Sequence, residues 1–286
     1  RGIFTVAALF SLGALLVITI FLLCNGVPFI ARTGFGKFVL GAEWRPLADT
    51  PSYGILPMIV TSLYVTALAV IFGVVIGLST AVCLYRFCPR KLVSPVRQMI
   101  NLLAGIPSVI YGLFGMTVIV PFLRDYLSPT GVGYGILAAA IVLSVMILPT
   151  VVSVSLDSLS SVPISYYEGA LALGSTEAEA TFKIVLPAAK SGVTSGVILA
   201  VGRALGETMA VIMVVGGSPE MPKSLFQSVR TLTSNIAMGA MELDENTQEA
   251  LIASGVVLLV FALLLNISFS FLKQDRSERR KRRGKV

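Results

Sequence analysis

The sequence contains no histidine and few charged side chains. None of its 286 residues is His, and Asp, Glu, Lys and Arg together make up only 13% of the chain. Without histidine, the chain lacks the commonest general base and the commonest metal ligand, and its carboxylates are scattered, which argues against a membrane enzyme. Soluble domains carry about 25% charged residues. The 55% hydrophobic composition therefore indicates an integral membrane protein.

The sequence has only three cysteines and no nucleotide-binding motif. Cys24, Cys83 and Cys88 are odd in number and lack C-x-x-C spacing, so we expect free thiols rather than disulfides or a zinc site. No G-x-x-x-x-G-K-[ST] run is present to cradle the phosphates of ATP. No cofactor or metal is therefore expected on this chain, and the absence of an evenly basic surface argues against nucleic acid as a partner.

Long apolar runs dominate what is present, each near the ~20 residues that cross the hydrocarbon of a bilayer. They predict an all-α integral membrane protein with six transmembrane helices, and the chain 1–286 forms a single transmembrane domain. The predicted spans are about Ile3 to Leu23, Ile55 to Tyr85, Val96 to Leu123, Tyr134 to Val154, Val193 to Val215 and Leu251 to Leu272. The first run exceeds the 7–15 apolar residues of a signal peptide, so we expect an uncleaved helix. Because the numbering starts without Met, we expect it to begin inside a longer gene product.

Lys and Arg predict the orientation. Eight of the 22 lie in the basic tail 273–286, and Arg86, Arg90, Lys91 and Arg97 follow the second span. With the N-terminus inside, most basic residues outside the spans fall on the inner side, as the positive-inside rule expects. Both termini are therefore predicted to be cytoplasmic. The tail either anchors this topology or also contacts anionic membrane lipids.

The longest inner segment, 155–192, lies between the fourth and fifth spans and is too polar to cross a bilayer. Good helix formers from Tyr166 to Leu173 precede Gly174, which can end a helix. Ser175 can cap a second helix, which we expect Pro187 to end. Two short cytoplasmic helices of this kind suit a groove on a partner protein.

This segment resembles the cytoplasmic signature of ABC importer permeases, which reads E-A-A, three residues, G, nine residues, I-x-L-P. The matching residues are Glu168, Ala170, Gly174, Ile184, Leu186 and Pro187, with Gly169 where the family has Ala. The resemblance implies cytoplasmic coupling helices that dock on a separate ATP-hydrolysing subunit, which would hold ATP and magnesium. An ordinary amphipathic interfacial helix is the alternative interpretation.

The fifth predicted span carries Arg203 and Glu207 within an otherwise apolar run. An arginine inside a membrane costs at least ~2.5 kcal/mol, so such residues normally face a bundle interior or a water-filled path. Standing four residues apart, the two would share one helical face. They form either a structural ion pair or a solute pathway in which Arg203 attracts an oxyanion through parallel N–H···O bonds. Thr208, Ser108 and Tyr111 are weaker candidates for the same pathway.

The stretch from Arg203 to Val211 also resembles the phosphate-specific ABC permeases of the PstC type, as do Trp44-Arg45-Pro46 and the segment from Gly105 to Leu113. This implies an importer core at about 55–272 that moves inorganic phosphate across a bacterial or archaeal cytoplasmic membrane. It also implies a second, PstA-like permease, a dimer of ATPase subunits and an extracytoplasmic phosphate-binding protein. The same architecture importing sulfate or molybdate stays open, and so does an ion-coupled secondary transporter, although no internal repeat is visible.

Overall fold

The computed structural model describes the backbone of residues 2–240 and 244–283, and the side chains of these residues except 266 and 268–283. Its helices are α1 (Gly2–Thr33), α2 (Phe35–Leu40), α3 (Leu56–Val82), α4 (Arg90–Ala104), α5 (Ser108–Phe114), α6 (Val120–Tyr126), α7 (Ile136–Ser160), α8 (Ile164–Ala172), α9 (Glu177–Glu179), α10 (Leu186–Gly206), α11 (Met209–Ile212), α12 (Leu232–Gly239) and α13 (Glu245–Arg283). Three π-helical turns, Cys83–Phe87, Gly115–Ile119 and Ala180–Val185, extend α3, join α5 to α6 and join α9 to α10. Strands β1 (Trp44–Arg45) and β2 (Ser52–Tyr53) pair antiparallel. The predicted all-α class is confirmed; the end of the predicted basic tail, 284–286, lies outside the described residues.

Within the described residues, six helices are long and apolar enough to cross a membrane. They are Gly2–Thr33, Leu56–Phe87, Ser108–Tyr126, Ile136–Ser160, Glu177–Gly206 and Glu245–Leu265. This confirms the six predicted spans. Because successive spans alternate in direction, α4 and α8 lie at one end of the bundle, here called the α8 end. The other, the α12 end, carries α2, the strand pair and α12. The cytoplasmic orientation of the termini stays a prediction.

The centre of the bundle is α7, which packs closely against α3. Side chains added at Gly73 and Gly77 of α3 would place a Cβ 2.6 Å from Cδ1 of Ile147 and 2.8 Å from Cγ1 of Val151. Glycines at this spacing let two membrane helices approach each other closely. By contrast, the most apolar part of α1 has no buried residue, and α1 is attached mainly along α13.

The third span begins at Ser108, so its predicted start at Val96 is wrong. Residues 90–104 form the separate helix α4, which Gly105 caps, and α5 begins after Pro107. Proline disfavours helical geometry in the residue before it and has no N–H to continue the helical ladder. The interruption noted in the sequence is therefore a helix boundary, and α4 lies beside the α8 end of α7.

Two predicted helix ends in the fifth span also differ from the structure. The span was expected to reach Val215, but α10 ends at Gly206. Pro187 was expected to end the preceding helix, but it lies in the first turn of α10, directly after a π-helical turn. Pro187 has no N–H to donate to the preceding turn, and the adjoining π-helical turn is the local adjustment that lets the helix continue through it. The span is consequently helical from Glu177 to Gly206.

Candidate functional site

The fifth span breaks at the predicted solute site. After Gly206 the backbone of Glu207 is extended, with φ −70° and ψ 131°, and the four-residue helix α11 follows Thr208. Non-helical backbone at membrane depth is tolerated only where it is buried in protein or lines a water-filled cavity. Discontinuous spans of this kind mark substrate sites in many transporters. The break is therefore the strongest candidate for the solute pathway in this chain.

Glu207 forms hydrogen bonds with Ala210 and Thr233 and no ion pair with Arg203. Its Oε1 accepts a hydrogen bond of 3.1 Å from the backbone N–H of Ala210, so the carboxylate caps the start of α11. Its backbone carbonyl accepts a 3.0 Å hydrogen bond from the hydroxyl of Thr233. The expectation that Arg203 and Glu207 share a helical face is wrong, because the helix ends between them.

Arg203 lies exposed in the last turn of α10. Of the four ion pairs found in the described part of the chain, none includes Arg203 or Glu207. A cation in a final helical turn offsets the negative partial charge of the orphan carbonyls there. The guanidinium group is thus available to a ligand in this state.

Of the weaker candidates, Ser108 and Tyr111 lie on α5, which packs against α11, and Thr208 lies at the break itself. Tyr111 is only 7% exposed, and its hydroxyl donates a 2.7 Å hydrogen bond to the carbonyl of Leu103 at the end of α4. Ser108 is half-buried in the first turn of α5, and half-buried Thr208 lies at the break, its hydroxyl 3.4 Å from the carbonyl of Gly206. Tyr111 therefore bridges the connection between α4 and α5, and its hydroxyl already has a hydrogen-bond partner.

Two residues at the break were missed by sequence analysis. Thr233 reaches the carbonyl of Glu207 from α12, 26 positions along the chain. Gly112 packs on α11, where an added Cβ would lie 2.9 Å from Cα of Ala210 and 2.8 Å from Sδ of Met213. Gly112 belongs to the quoted segment from Gly105 to Leu113, so its position was visible. Thr233 carries no local signal, because its role depends on tertiary contact.

The segment at the α8 end has the predicted helix–glycine–helix form. Gly174 has φ +89°, the left-handed conformation that glycine adopts without strain, and it follows α8. The second helix is capped by Thr176, not by Ser175 as expected; its hydroxyl and the Glu179 side chain form a capping box. Thr176 takes this role because Glu179 stands three residues after it.

The residues matched to the permease signature divide into an exposed and a packed group. Glu168 and Gly169 of α8 are exposed, as are Ile184 and Pro187, whereas Ala170 is buried and Leu186 half-buried. No described heavy atom lies within 4 Å of a Cβ built on Gly169, so the alanine of the family signature would fit there. The exposed residues form a surface that a partner can contact.

Two aromatic contacts attach this segment to the end of the second span. The guanidinium carbon of Arg86 lies 3.9 Å from the ring centroid of Tyr167, which is 1% exposed. The rings of Phe87 and Phe182 stack with centroids 6.2 Å apart. Arg86 and Phe87 belong to one π-helical turn and Phe182 to another. Arg86 is itself exposed, so its cation–π contact contributes about 0.5–1 kcal/mol. Together with the stacked rings, this contact attaches α8 to the end of α3.

Comparison with known proteins gives consistent matches. The family model described as "Binding-protein-dependent transport system inner membrane component" matches residues 73–283. The "Probable ABC transporter permease protein YqgH" of Bacillus subtilis is 38% identical, covering 96% of this chain and 90% of the relative. The "Phosphate transport system permease protein PstC" of Xylella fastidiosa strain 9a5c is 35% identical, again covering 96% and 90%.

Solved structures share the fold at lower identity. A bacterial ABC transporter involved in the import of the acidic polysaccharide alginate matches with a TM-score of 0.65 and 15% identity, covering 94% of this chain and 95% of that one. The MetNI methionine ABC transporter, in an inward-facing conformation, matches with a TM-score of 0.62 and 21% identity, covering 77% and 95%. At these identities the likeness concerns the fold alone.

Proposed function

Because the chain belongs to the family of binding-protein-dependent transport system inner membrane components, we propose that it is the permease subunit of an ATP-driven importer of inorganic phosphate. Its six apolar helices and its family indicate a multi-pass protein of the cytoplasmic membrane. Relatives named as phosphate permeases, from Xylella fastidiosa to Methanocaldococcus jannaschii, support phosphate as the solute.

The observation that carries the proposal is the break at Gly206 with an Arg203 that has no carboxylate partner among the described residues. A planar guanidinium offers two parallel N–H donors that match the geometry of a phosphate. Since the carboxylate of Glu207 caps α11, it does not form an ion pair with Arg203. An arginine in this state attracts an oxyanion electrostatically, and no covalent chemistry on the solute is involved.

The coupling role is proposed for α8 and the start of the fifth span. Glu168 would face a separate ATPase dimer that holds ATP and magnesium, and its exposure supports this assignment. Closure of the ATPases would move α8, and the contacts of Arg86 with Tyr167 would pass this motion to α3. A second, PstA-like permease would complete the pathway, and an extracytoplasmic phosphate-binding protein would deliver the solute.

The pathway proposal is tested with Arg203→Ala in the assembled transporter. We expect uptake of radiolabelled phosphate to fall at least about tenfold, because the fork of donors is lost, while the subunits still copurify. Lys190→Ala, which removes another exposed cation of α10, is the matched control and should transport normally. Unchanged uptake by Arg203→Ala would refute the pathway role.

The same complex in proteoliposomes separates the candidate solutes. Phosphate, sulfate and molybdate are added in turn with the binding protein, and stimulation of ATP hydrolysis is measured. Stimulation by phosphate alone supports the proposal, and stimulation by sulfate or molybdate instead reassigns the solute without changing the architecture.

The coupling assignment has its own test. Glu168→Lys is expected to weaken copurification of the ATPase subunit, because it reverses a charge on the exposed face of α8. Glu220→Lys reverses an exposed charge at the α12 end and should leave copurification unchanged. Equal recovery of the ATPase with both variants would contradict the assignment.

A further inference from the structure

Helix α4 carries positive charge without any negative charge nearby in sequence. Between Cys83 and Pro107 there is no Asp or Glu, whereas four basic residues are present: Arg86, Arg90, Lys91 and Arg97. Arg90 and Lys91 are exposed in the first turn of α4. Arg97 is paired with Asp157 of α7 at 2.8 Å, which ties the polar side of α4 to the bundle. This region is therefore a local concentration of cationic side chains.

The apolar side of α4 is only partly covered. Val96 and Ile100 pack against the core cluster at the α8 end, yet none of the fifteen residues of α4, all of them described, is buried. Leu92, Met99 and Leu102 are 52%, 65% and 73% exposed. At separations of seven and three residues, these three side chains form one strip along the helix. The rest of the chain, as far as the structure describes it, leaves this strip uncovered.

The position of α4 places this strip at the edge of the bilayer. The second span ends at Phe87 and the third begins at Ser108, so the intervening helix lies where two spans leave the membrane on the same side. A helix with one apolar face and one basic face lies in the membrane interface, with its apolar face in the acyl boundary. Basic residues next to spans attract anionic headgroups electrostatically.

We propose that α4 is a binding surface for anionic phospholipid, with the strip in the acyl region and Arg90 and Lys91 at the headgroup phosphates. This chain has no Asp or Glu between Cys83 and Pro107 to neutralise these cations, and an anionic leaflet complements their charge. The hydrogen bond from Tyr111 to Leu103 joins the end of α4 to α5, and α5 packs on α11 at Gly112. The lipid bound by α4 is thereby linked to the break in the fifth span. The proposal does not depend on which solute is transported.

The charge requirement is tested on the complex in nanodiscs of phosphatidylcholine alone or mixed with phosphatidylglycerol. Native mass spectrometry measures the phosphatidylglycerol retained by the complex. The double variant Arg90→Gln/Lys91→Gln is expected to lower this retention at least about tenfold, because each lost cation weakens the attraction. Lys37→Gln/Lys223→Gln removes two exposed cations at the α12 end and should match the unmodified protein. Equal loss with both double variants, or no loss with either, overturns the assignment.

The occupant of the strip is tested independently of charge. Cys24, Cys83 and Cys88 are first replaced by alanine, and spin labels are attached at Met99→Cys or Gln98→Cys. In the assembled complex we expect the label at position 99 to be accessible to oxygen, which concentrates in lipid. We expect the label at position 98 to be accessible to a water-soluble nickel chelate instead. Shielding of position 99 from both reagents would show that protein covers the strip and would overturn the proposal.

Discussion

Arg203 and Glu207 should contribute independently to the stability of this chain, although their spacing suggests an ion pair. In the structure α10 ends at Gly206, and the carboxylate of Glu207 accepts a hydrogen bond from Ala210. The prediction is tested by a double-mutant cycle with Arg203→Ala, Glu207→Ala and the combined variant. The quantity compared is the free energy of unfolding of the chain in a lipid bilayer.

The expected magnitudes follow from the contacts. Glu207→Ala removes one capping hydrogen bond, which contributes about 1 kcal/mol. Glu207→Gln retains an acceptor oxygen and should cost less than about half of this. Residues that share no contact have additive effects, so the coupling energy of the cycle should stay within about 0.5 kcal/mol of zero. Breaking a buried ion pair would instead cost about 3–5 kcal/mol, because one charge is left uncompensated.

Steric trapping of a doubly biotinylated chain in bicelles gives the required unfolding free energies, since two bound streptavidin molecules capture the unfolded state. Glu207→Gln serves as the matched control for the loss of charge without the loss of the hydrogen bond. A coupling energy above about 2 kcal/mol would refute the reasoning, because only a direct interaction between the two side chains produces it.

Three other changes test separate parts of the structure. Gly112→Leu should reduce solute uptake at least about tenfold while the subunits still copurify, because an added Cβ would lie within 3 Å of α11; normal uptake would contradict this close approach. The hydrogen bonds from the Thr247 side chain and backbone lower the pKa of Asp244 below its ordinary value of 3.8. Its stabilising contribution is therefore present above that value and is lost as the pH falls through the lower, folded pKa. Asp244→Ala should accordingly flatten the acid side of the thermal-stability profile, and an unchanged profile would oppose this assignment. Arg86→Met should leave ATPase binding intact but uncouple hydrolysis from uptake, because the contact with Tyr167 is lost; uptake that stays coupled would show that α8 acts through other contacts.

The number of spans and the helix–glycine–helix segment could be predicted because both depend on local sequence. Apolar runs of sufficient length define the spans. Gly174 ends α8 because glycine adopts a positive φ at little cost, and its φ of +89° agrees. The predicted cap, Ser175, was one residue too early: Thr176 caps the helix, because Glu179 stands three residues after it and completes a capping box. Such boundary errors reflect competition between neighbouring residues of similar propensity.

The break in the fifth span could not be predicted, because its causes are not local. The run from Val193 to Val215 reads as one apolar helix apart from its two charges. In the folded chain, the hydroxyl of Thr233 binds the carbonyl of Glu207, and Gly112 allows α5 to pack on α11. These contacts stabilise the interruption from two other parts of the chain. Sequence spacing alone therefore placed Arg203 and Glu207 together when tertiary contacts separate them.

Two π-helical turns at the α8 end would let the docking surface proposed for α8 act on two spans. One turn contains Arg86 and Phe87 and ends the second span, and the other contains Phe182 and lies near the start of the fifth. Phe87 stacks on Phe182, and Arg86 lies over Tyr167 of α8, so both turns meet beside the same helix. A π-helical turn interrupts the regular i→i−4 ladder, and such turns are frequent at functional sites. A displacement of α8 would therefore reach α3 and α10 together, and α10 ends in the turn that carries Arg203.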